Sequence, residues 1–259
     1  MTSTRLWDRA GALTVPSADR RRPEIVALPP RMPTLDELFT FMRDAELRFE
    51  TLLMRIEERT FGTQGEQLLA IDVALQHPGQ ARVTTTEPGQ GVGTNFETWI
   101  SDGETVRTYS RLHKLGTRRP VRPTVRGLGD DLPGTSRVYR PLTALPMETL
   151  PDTFIHPAGY CQNVLATGRT WISGTDIVRG REAIVVHSDH PRATELAADR
   201  PDFHIEIAVD PFEGVIVRLV ESIGGEVTRE AEAVAFQPDA PLPPATFDFD
   251  FPAGTTMLY

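Results

Sequence analysis

Three histidines and one aspartate form the densest group of metal-ligand residue types in this sequence. His187, Asp189 and His190 lie in one short stretch, and His204 follows them in the chain. Imidazole and carboxylate groups are common ligands of zinc and similar ions. His187, however, ends a predicted strand, and Pro191 indicates a loop in which histidines are solvated. We therefore predict no metal site and no cofactor, and these residues are the first to test if the protein is an enzyme.

Two further pairs of residues could do chemistry. Cys161 would be a nucleophile if His156 came within reach, although a lone cysteine is more often a small core residue. Asp248 and Asp250 share one face of a predicted strand, as glycosidase carboxylates share a cleft, but the phenylalanines around them predict that both acids face water. No H-E-x-x-H, C-x-x-C or G-x-S-x-G motif occurs in the sequence. We therefore predict no catalytic residue.

The charges of the chain are unevenly distributed. Its 259 residues carry a net charge of −9, which argues against a nucleic-acid partner. Residues 111–150, by contrast, hold eight Lys and Arg against three acidic residues. We interpret this stretch as a long loop that could meet phosphate headgroups or an acidic partner, or that simply balances the acidic body. The candidate anion contacts are Arg111, Lys114, Arg118 and Arg119.

The sequence also bears on the compartment. Cys161 is the only cysteine, so no internal disulfide requires an oxidising environment. The N-terminal residues show no signal peptide, and no apolar run reaches the roughly 18 residues of a membrane helix. We expect a cytoplasmic protein as the sequence is written, or a protein of the cell envelope if the true start lies upstream.

Apolar periodicity predicts one helix followed by many strands. Residues 1–33 lack a period and indicate a flexible extension, and a capping box at residues 34–37 begins the domain, which we place at 34–259. Apolar spacing then predicts an amphipathic helix over residues 35–56. Alternating residues and turns such as Asp102-Gly103 predict about 9 to 11 strands, mostly joined by hairpins. A short helix containing Cys161 could lie within residues 153–166.

These segments together resemble the LolA-like superfamily of lipoprotein carriers and sigma-E regulatory sensor domains, of an actinobacterial type. The resemblance rests on the leading helix and on four stretches: W-I-S-D-G-E-T-V-R-T-Y at 99–109, V-R-G-R-E-A-I-V-V at 178–186, D-x-x-x-G-x-x-x-R-L at 210–219 and F-x-F-x-x-P-x-G at 247–254. It implies a mainly β (α+β) fold, a single curved antiparallel half-barrel sheet whose concave face is covered by the long helix. It also implies a hydrophobic cavity that accepts acyl chains.

The function predicted on this basis is non-catalytic binding of a hydrophobic small molecule, lipid or acyl chain, as a carrier or a sensor. Ordinary core packing between sheet and helix is the alternative interpretation of the same residues. A regulatory protein–protein interaction module, with its core permanently filled and a protein as partner, is the alternative function. The predicted cavity-lining residues are Leu69, Ile71, Val73, Ile205, Ile207, Val217 and Leu219, and the predicted gating residues are Met42, Phe49 and Leu53.

Overall fold

The computed structural model describes residues 25–63, 65–88, 96–121, 141–191 and 202–258. Twelve strands dominate these residues, and three short α-helices and two single-turn 3-10 helices, Ala45–Leu47 and Leu165–Thr167, accompany them. The strands are β1 (Thr51–Gly62), β2 (Gly65–Gln76), β3 (Gln80–Thr86), β4 (Phe96–Asp102), β5 (Thr105–Ser110), β6 (Leu115–Pro120), β7 (Arg169–Val178), β8 (Arg181–Asp189), β9 (Phe203–Val209), β10 (Ile216–Ile223), β11 (Glu226–Pro238) and β12 (Thr256–Leu258). The helices are α1 (Leu35–Arg43), α2 (Leu150–Ile155) and α3 (Pro157–Asn163).

All twelve strands form one open sheet. Their order is β12-β6-β5-β4-β3-β2-β1-β11-β10-β9-β8-β7, and every pair is antiparallel except β12 with β6. Neighbours in the sheet follow each other in sequence except at two places: β1 pairs with β11, which joins the two halves, and β12 pairs with β6. The sheet is curved and has helices on its concave face, so the predicted half-barrel fold is confirmed.

The long N-terminal helix predicted over residues 35–56 is wrong. The capping box between Thr34 and Glu37 is present, but α1 ends at Arg43 and β1 begins at Thr51. Leu52 and Ile56 fit helical spacing and also fit strict alternation with Met54. Because β1 pairs with β2 on one side and β11 on the other, the strand buries these side chains and satisfies its backbone groups at once.

Several short helices cover the concave face instead of one long helix. Leu38 and Met42 of α1 and Phe154 of α2 are fully buried. They belong to one apolar cluster with Ile205 and Ile207 of β9. We call the face on which they pack the inner face of the sheet. The helix layer therefore fills the inner face along the C-terminal half of the sheet.

The residues that follow β11 cross the outer face of the N-terminal half. Arg82 of β3 donates to the carbonyl oxygen of Thr246 at 3.3 Å, and the ring of Tyr109 lies 5.9 Å from that of Phe249. Residues 247–255 form no strand, although their alternating pattern predicted one. The alternation arises because the aromatic rings pack on the sheet, while Asp248 and Asp250 are exposed.

Gly116 allows this segment to approach β6. A Cβ atom at Gly116 would lie 2.6 Å from a ring atom of Phe251. We expect Gly116→Ala to lower the free energy of unfolding by about 1–3 kcal/mol, the usual cost of overpacking. Amide hydrogen exchange over residues 247–258 should also become faster. The matched control is Gly159→Ala, where a Cβ meets nothing within 4 Å, and equal protection in the two variants would contradict this packing.

The structure differs from the prediction in two segments, residues 111–150 and the N-terminal extension. Residues 111–150 are not one long loop, because they contain the turn at 111–114 and the whole of β6. Residues 122–140 lie outside the described residues. Of the predicted extension, residues 1–24 also lie outside them, and residues 25–33 include Leu28, which packs against the core. The contacts of Leu28 show that packing begins before the predicted boundary at residue 34.

Candidate functional site

A cavity of about 540 Å³ lies on the inner face of the N-terminal half of the sheet. Its floor comes from β2 to β6, because alternate residues of each strand point to the same face. The chain before α2 and its first turn form the opposite wall, and β12 contributes the edge. The apolar lining residues are Leu69, Ile71, Val83, Trp99, Leu115, Pro146, Leu150, Pro151 and Leu258, and the polar ones are Glu58, Thr85, Glu97, Thr108, Ser110, Thr117, Thr149 and Arg229. Thr98 and Tyr109 also border the cavity, although they alternate with these residues and belong to the outer face.

The polar groups of the cavity are largely paired within the protein. Arg229 Nε donates to Glu58 Oε1 at 2.7 Å, and Arg229 Nη1 lies 3.7 Å from Glu221 Oε1. The hydroxyl oxygens of Thr108 and Thr117 are 2.6 Å apart. Among the described residues, the buried Ser110 Oγ finds no hydrogen-bond partner. The lining is therefore mostly apolar, and its one guanidinium, that of Arg229, is already paired with carboxylates of the protein.

The structure separates the predicted cavity residues into two groups. Leu69 and Ile71 line the cavity, and Val73 is buried in the core beside them. The other predicted lining residues belong to the filled half of the inner face, where helices pack on them. That group comprises Ile205, Ile207, Val217 and Leu219, and Met42 and Phe49 are buried in the same core.

Leu53 does not lie on the inner face, because it alternates with Leu52 and Met54 along β1. It lines a separate pocket of about 360 Å³ on the outer face. Arg55 and Asp72 form an ion pair of 3.0 Å in that pocket. The predicted gating position of Leu53 depended on the long helix and is corrected with it.

The four predicted anion contacts lie at one edge of the sheet. Arg111 and Lys114 are exposed in the turn between β5 and β6, and Arg118 and Arg119 are exposed on β6. The guanidinium carbon of Arg111 lies 5.5 Å from the centre of the Phe96 ring. Within the described residues, none of the four forms an ion pair with a carboxylate.

A second feature of the helix layer is a buried histidine between two carboxylates. His156, between α2 and α3, is 2% exposed, and Glu46 and Asp152 are 3% and 4% exposed. His156 Nδ1 lies 3.0 Å from Asp152 Oδ1, and Nε2 makes a 3.3 Å ion-pair contact with Glu46 Oε2. Burial alone lowers the pKa of His156, but the hydrogen bonds and negative charges of the two acids raise it to about 8. Burial and charge together make this group a protonated link between helices.

His77 lies near His156, but its pKa is shifted in the opposite direction. Its ring stacks on Phe49, with centroids 5.5 Å apart, and its Nδ1 lies 2.8 Å from Thr143 Oγ1. Burial lowers the pKa of His77 to about 4, with the charge of His156 acting in the same direction. His77 is therefore neutral where His156 is charged.

Cys161 is buried in the core of the helix layer. Its Sγ is 3.8 Å from Met42 Sδ, and the residue is 3% exposed. Burial raises the pKa of the thiol well above its usual range. An activated thiolate requires the opposite shift, so the structure favours the core interpretation.

The predicted loop histidines in part form a network on the outer face. His187 Nδ1 is 3.1 Å from His204 Nε2, and His204 Nδ1 is 2.7 Å from Asp189 Oδ1. Ser173 Oγ lies 3.0 Å from His187 Nε2, and Trp171 stacks on the His187 ring at 5.3 Å. Burial lowers the pKa of His187. These contacts join β7, β8 and β9 by hydrogen bonds.

His190 takes no part in this network, since its backbone N–H donates to Phe203 and its side chain is exposed. Among the residues that the structure describes, no group of three or more His, Cys, Asp or Glu is arranged to hold a metal ion. The same residues include no helix that is long and apolar enough to cross a membrane.

Sequence reasoning missed both the wall of the cavity and the buried histidine link. Leu150 and Pro151 belong to a segment that shows no apolar period in the sequence. Glu46 and His156 are far apart in the chain, and only the spacing of four residues between Asp152 and His156 could have indicated a shared helical face.

Similarity to known proteins is found only at the level of the fold. No protein-family model and no curated protein matches the sequence. An uncharacterised conserved protein from Thermus thermophilus is similar at a TM-score of 0.50 and 12% identity, over 86% of this chain and 98% of that one. MucB in the MucA/MucB complex of Pseudomonas aeruginosa is similar at a TM-score of 0.48 and 14% identity, over 83% of this chain and 60% of that one. A LolA superfamily protein from Nitrosomonas europaea is similar at a TM-score of 0.33 and 9% identity, over 85% of this chain and 100% of that one.

The likeness to the Thermus thermophilus protein is one of fold alone. The chain spans about 60% of the MucB chain. The half-barrel itself agrees with the LolA-like resemblance, whereas the actinobacterial subtype has no support and stays a prediction.

Proposed function

We propose that this protein holds a hydrophobic or acyl-bearing ligand, without covalent attachment, in the cavity on the inner face of the half-barrel. The observation that carries the proposal is the cavity of about 540 Å³, lined mainly by Leu69, Ile71, Val83, Trp99 and Leu150. This volume lies within the range of roughly 300–1,000 Å³ that is typical of small-molecule sites. Within the described residues, the helix layer leaves this space between the strands and the wall formed by Leu150 and Pro151.

Apolar burial would supply most of the binding free energy, at roughly 0.8 kcal/mol for each CH₂ group removed from water. Arg229 is paired with Glu58, and Glu97 is a second carboxylate of the lining, so the lining offers no unpaired cation to an anionic group. The threonine hydroxyls of the lining, such as that of Thr85, are neutral hydrogen-bonding groups. The ligand favoured by this lining has a long apolar body and a small polar end.

The direct test is a fluorescence titration with two probes of different charge. Dansyl-undecanoic acid is anionic and acyl-bearing, and N-phenyl-naphthylamine is neutral and apolar. The proposal expects saturable binding of both probes at one site, with palmitic acid displacing each of them. Absence of saturable binding for both probes would remove the proposal.

A second candidate function is a regulatory protein–protein interaction module. The observation that favours it is the filled C-terminal half of the inner face, where Ile205, Ile207 and Leu219 are at most 1% exposed. In that half the helices occupy the space that a ligand would need.

Two further predictions from the sequence stay predictions: that the protein is not an enzyme, and the compartment in which it is found. A carrier and a sensor would share the same cavity.

A further inference from the structure

The hairpin of β5 and β6 carries a concentrated positive charge, which we call the basic edge: Arg111, His113, Lys114, Arg118 and Arg119. All five side chains are exposed. The sequence from Thr105 to Val121 contains no acidic residue. Arg107 on the same hairpin is already paired with Asp102 at 2.8 Å. Four fully ionised cations at this edge therefore face solvent without a carboxylate partner in the described part of the chain.

Apolar side chains are exposed beside these cations. Leu112, at the tip of the turn, is 64% exposed, and it lies between Arg111 and His113. Met257 and Leu258 of β12 are 36% and 47% exposed, and β12 pairs directly with β6. A large apolar side chain at the tip of a hairpin is stabilised only when its surface is removed from water, and a purely ionic partner would not remove it.

We propose that the basic edge docks this protein on the surface of an anionic lipid bilayer, with Leu112 entering the boundary between headgroups and acyl chains. Cations bind the negative surface, and an apolar tip flanked by cations adds burial in the interface. A nucleic acid or an acidic protein segment would use the same cations, but it would leave Leu112 in water. The mixture of charge and exposed apolar area is what favours the bilayer.

The charge of the whole molecule supports one orientation. The chain carries a net charge of −9 although the basic edge is positive. An anionic surface therefore attracts this edge and repels the rest of the protein, so that the molecule approaches with β6 and β12 first.

The same edge borders the candidate cavity. Leu115, Thr117 and Leu258 line the cavity and lie on β6 and β12. Docking would bring this side of the cavity to the lipid, so that an apolar ligand could enter without crossing bulk water. This last step rests on the proposed function, whereas the docking itself does not.

The experiment is co-sedimentation of the full chain with phosphatidylcholine vesicles, with and without about one third phosphatidylserine. Each Lys or Arg near an anionic surface is worth about fivefold in binding, so Arg111→Gln with Lys114→Gln should weaken partitioning by about 30-fold. Leu112→Ala should weaken it by about tenfold, the scale of partial burial of a leucine side chain. Raising the ionic strength from about 0.1 M to about 1 M should release most of the protein, because the Debye length falls from about 10 Å to about 3 Å.

Two matched controls separate this edge from general effects. Arg59→Gln with Arg169→Gln removes two exposed charges elsewhere, and Phe212→Ala removes a side chain that is 75% exposed in another turn. Both controls should bind vesicles as the wild type does. Absence of binding to phosphatidylserine vesicles would overturn the proposal. So would an unchanged affinity of Leu112→Ala together with equally strong binding to heparin, which would indicate a purely ionic partner.

The outcome is distinguishable from that of the proposed function. Loss of vesicle binding with intact probe binding would overturn the docking alone. Intact vesicle binding without probe binding would leave the docking supported and remove the cavity.

Discussion

Replacing His156 by leucine is expected to lower the free energy of unfolding at pH 7 by about 3–5 kcal/mol. The substitution removes the cation that faces Glu46 and Asp152 and leaves their charges inside the helix layer, and breaking one side of a buried ion pair has this magnitude. Urea unfolding monitored by circular dichroism measures the change. His113→Leu is the matched control, because His113 is exposed in a turn and should change stability little.

The same group makes the stability of the wild type depend on pH. The folded-state pKa of His156 is about 8, above its ordinary value of 6.5, so the folded state holds the proton more tightly. The difference corresponds to about 2 kcal/mol. This contribution is fully present below pH 6.5 and is lost as the pH rises through about 8. His77 acts in the opposite sense, since its pKa of about 4 means that stability falls as the pH drops below 6.5.

Unfolding measured at several values between pH 6 and pH 9 should therefore show a decline that His156→Leu abolishes. If the wild type and the variant lose stability in parallel above pH 7, the link between His156 and the two carboxylates is not as described.

Replacing Thr85 by tryptophan is expected to reduce the affinity for both fluorescent probes by more than tenfold. Thr85 lines the cavity from β3, and the large ring would occupy space that the ligand needs. Because the ring would fill a cavity and not a packed core, the change in unfolding free energy should stay below about 1 kcal/mol. A titration with dansyl-undecanoic acid and N-phenyl-naphthylamine measures the effect.

Thr175→Trp provides the control for this experiment. Thr175 is exposed on β7 at the opposite edge of the sheet, so the same change of residue type should leave probe affinity unaltered. Equal affinities of the two variants, with both proteins folded, would place the probes somewhere other than the cavity.

Local signals in the sequence predicted the parts of the fold that depend on local contacts. The capping box of Thr34 and Glu37 begins a helix, and the Asp102-Gly103 turn joins β4 to β5, because both are decided by neighbouring residues. The end of that helix could not be predicted in the same way. Leu52 and Ile56 fit two periods equally well, and the pairing of β1 with the distant β11 decides between them.

The candidate site was predictable only in part for a similar reason. Alternation placed Leu69 and Ile71 on the inner face, where they line the cavity. It placed Ile205 and Ile207 on the same face, but it could not show that the helix layer fills that half. The position of the helices follows from tertiary packing, including the link of His156 to Glu46, for which the sequence contains no local signal.

Native mass spectrometry of the freshly purified protein, followed by organic extraction, tests the central claim most directly. The proposed function predicts a discrete extra mass that extracts as a lipid or another apolar molecule, and that is absent from Thr85→Trp but present in Thr175→Trp. A clean ligand-free mass, with no adduct after incubation with excess palmitic acid, would contradict the claim and would favour the interaction module.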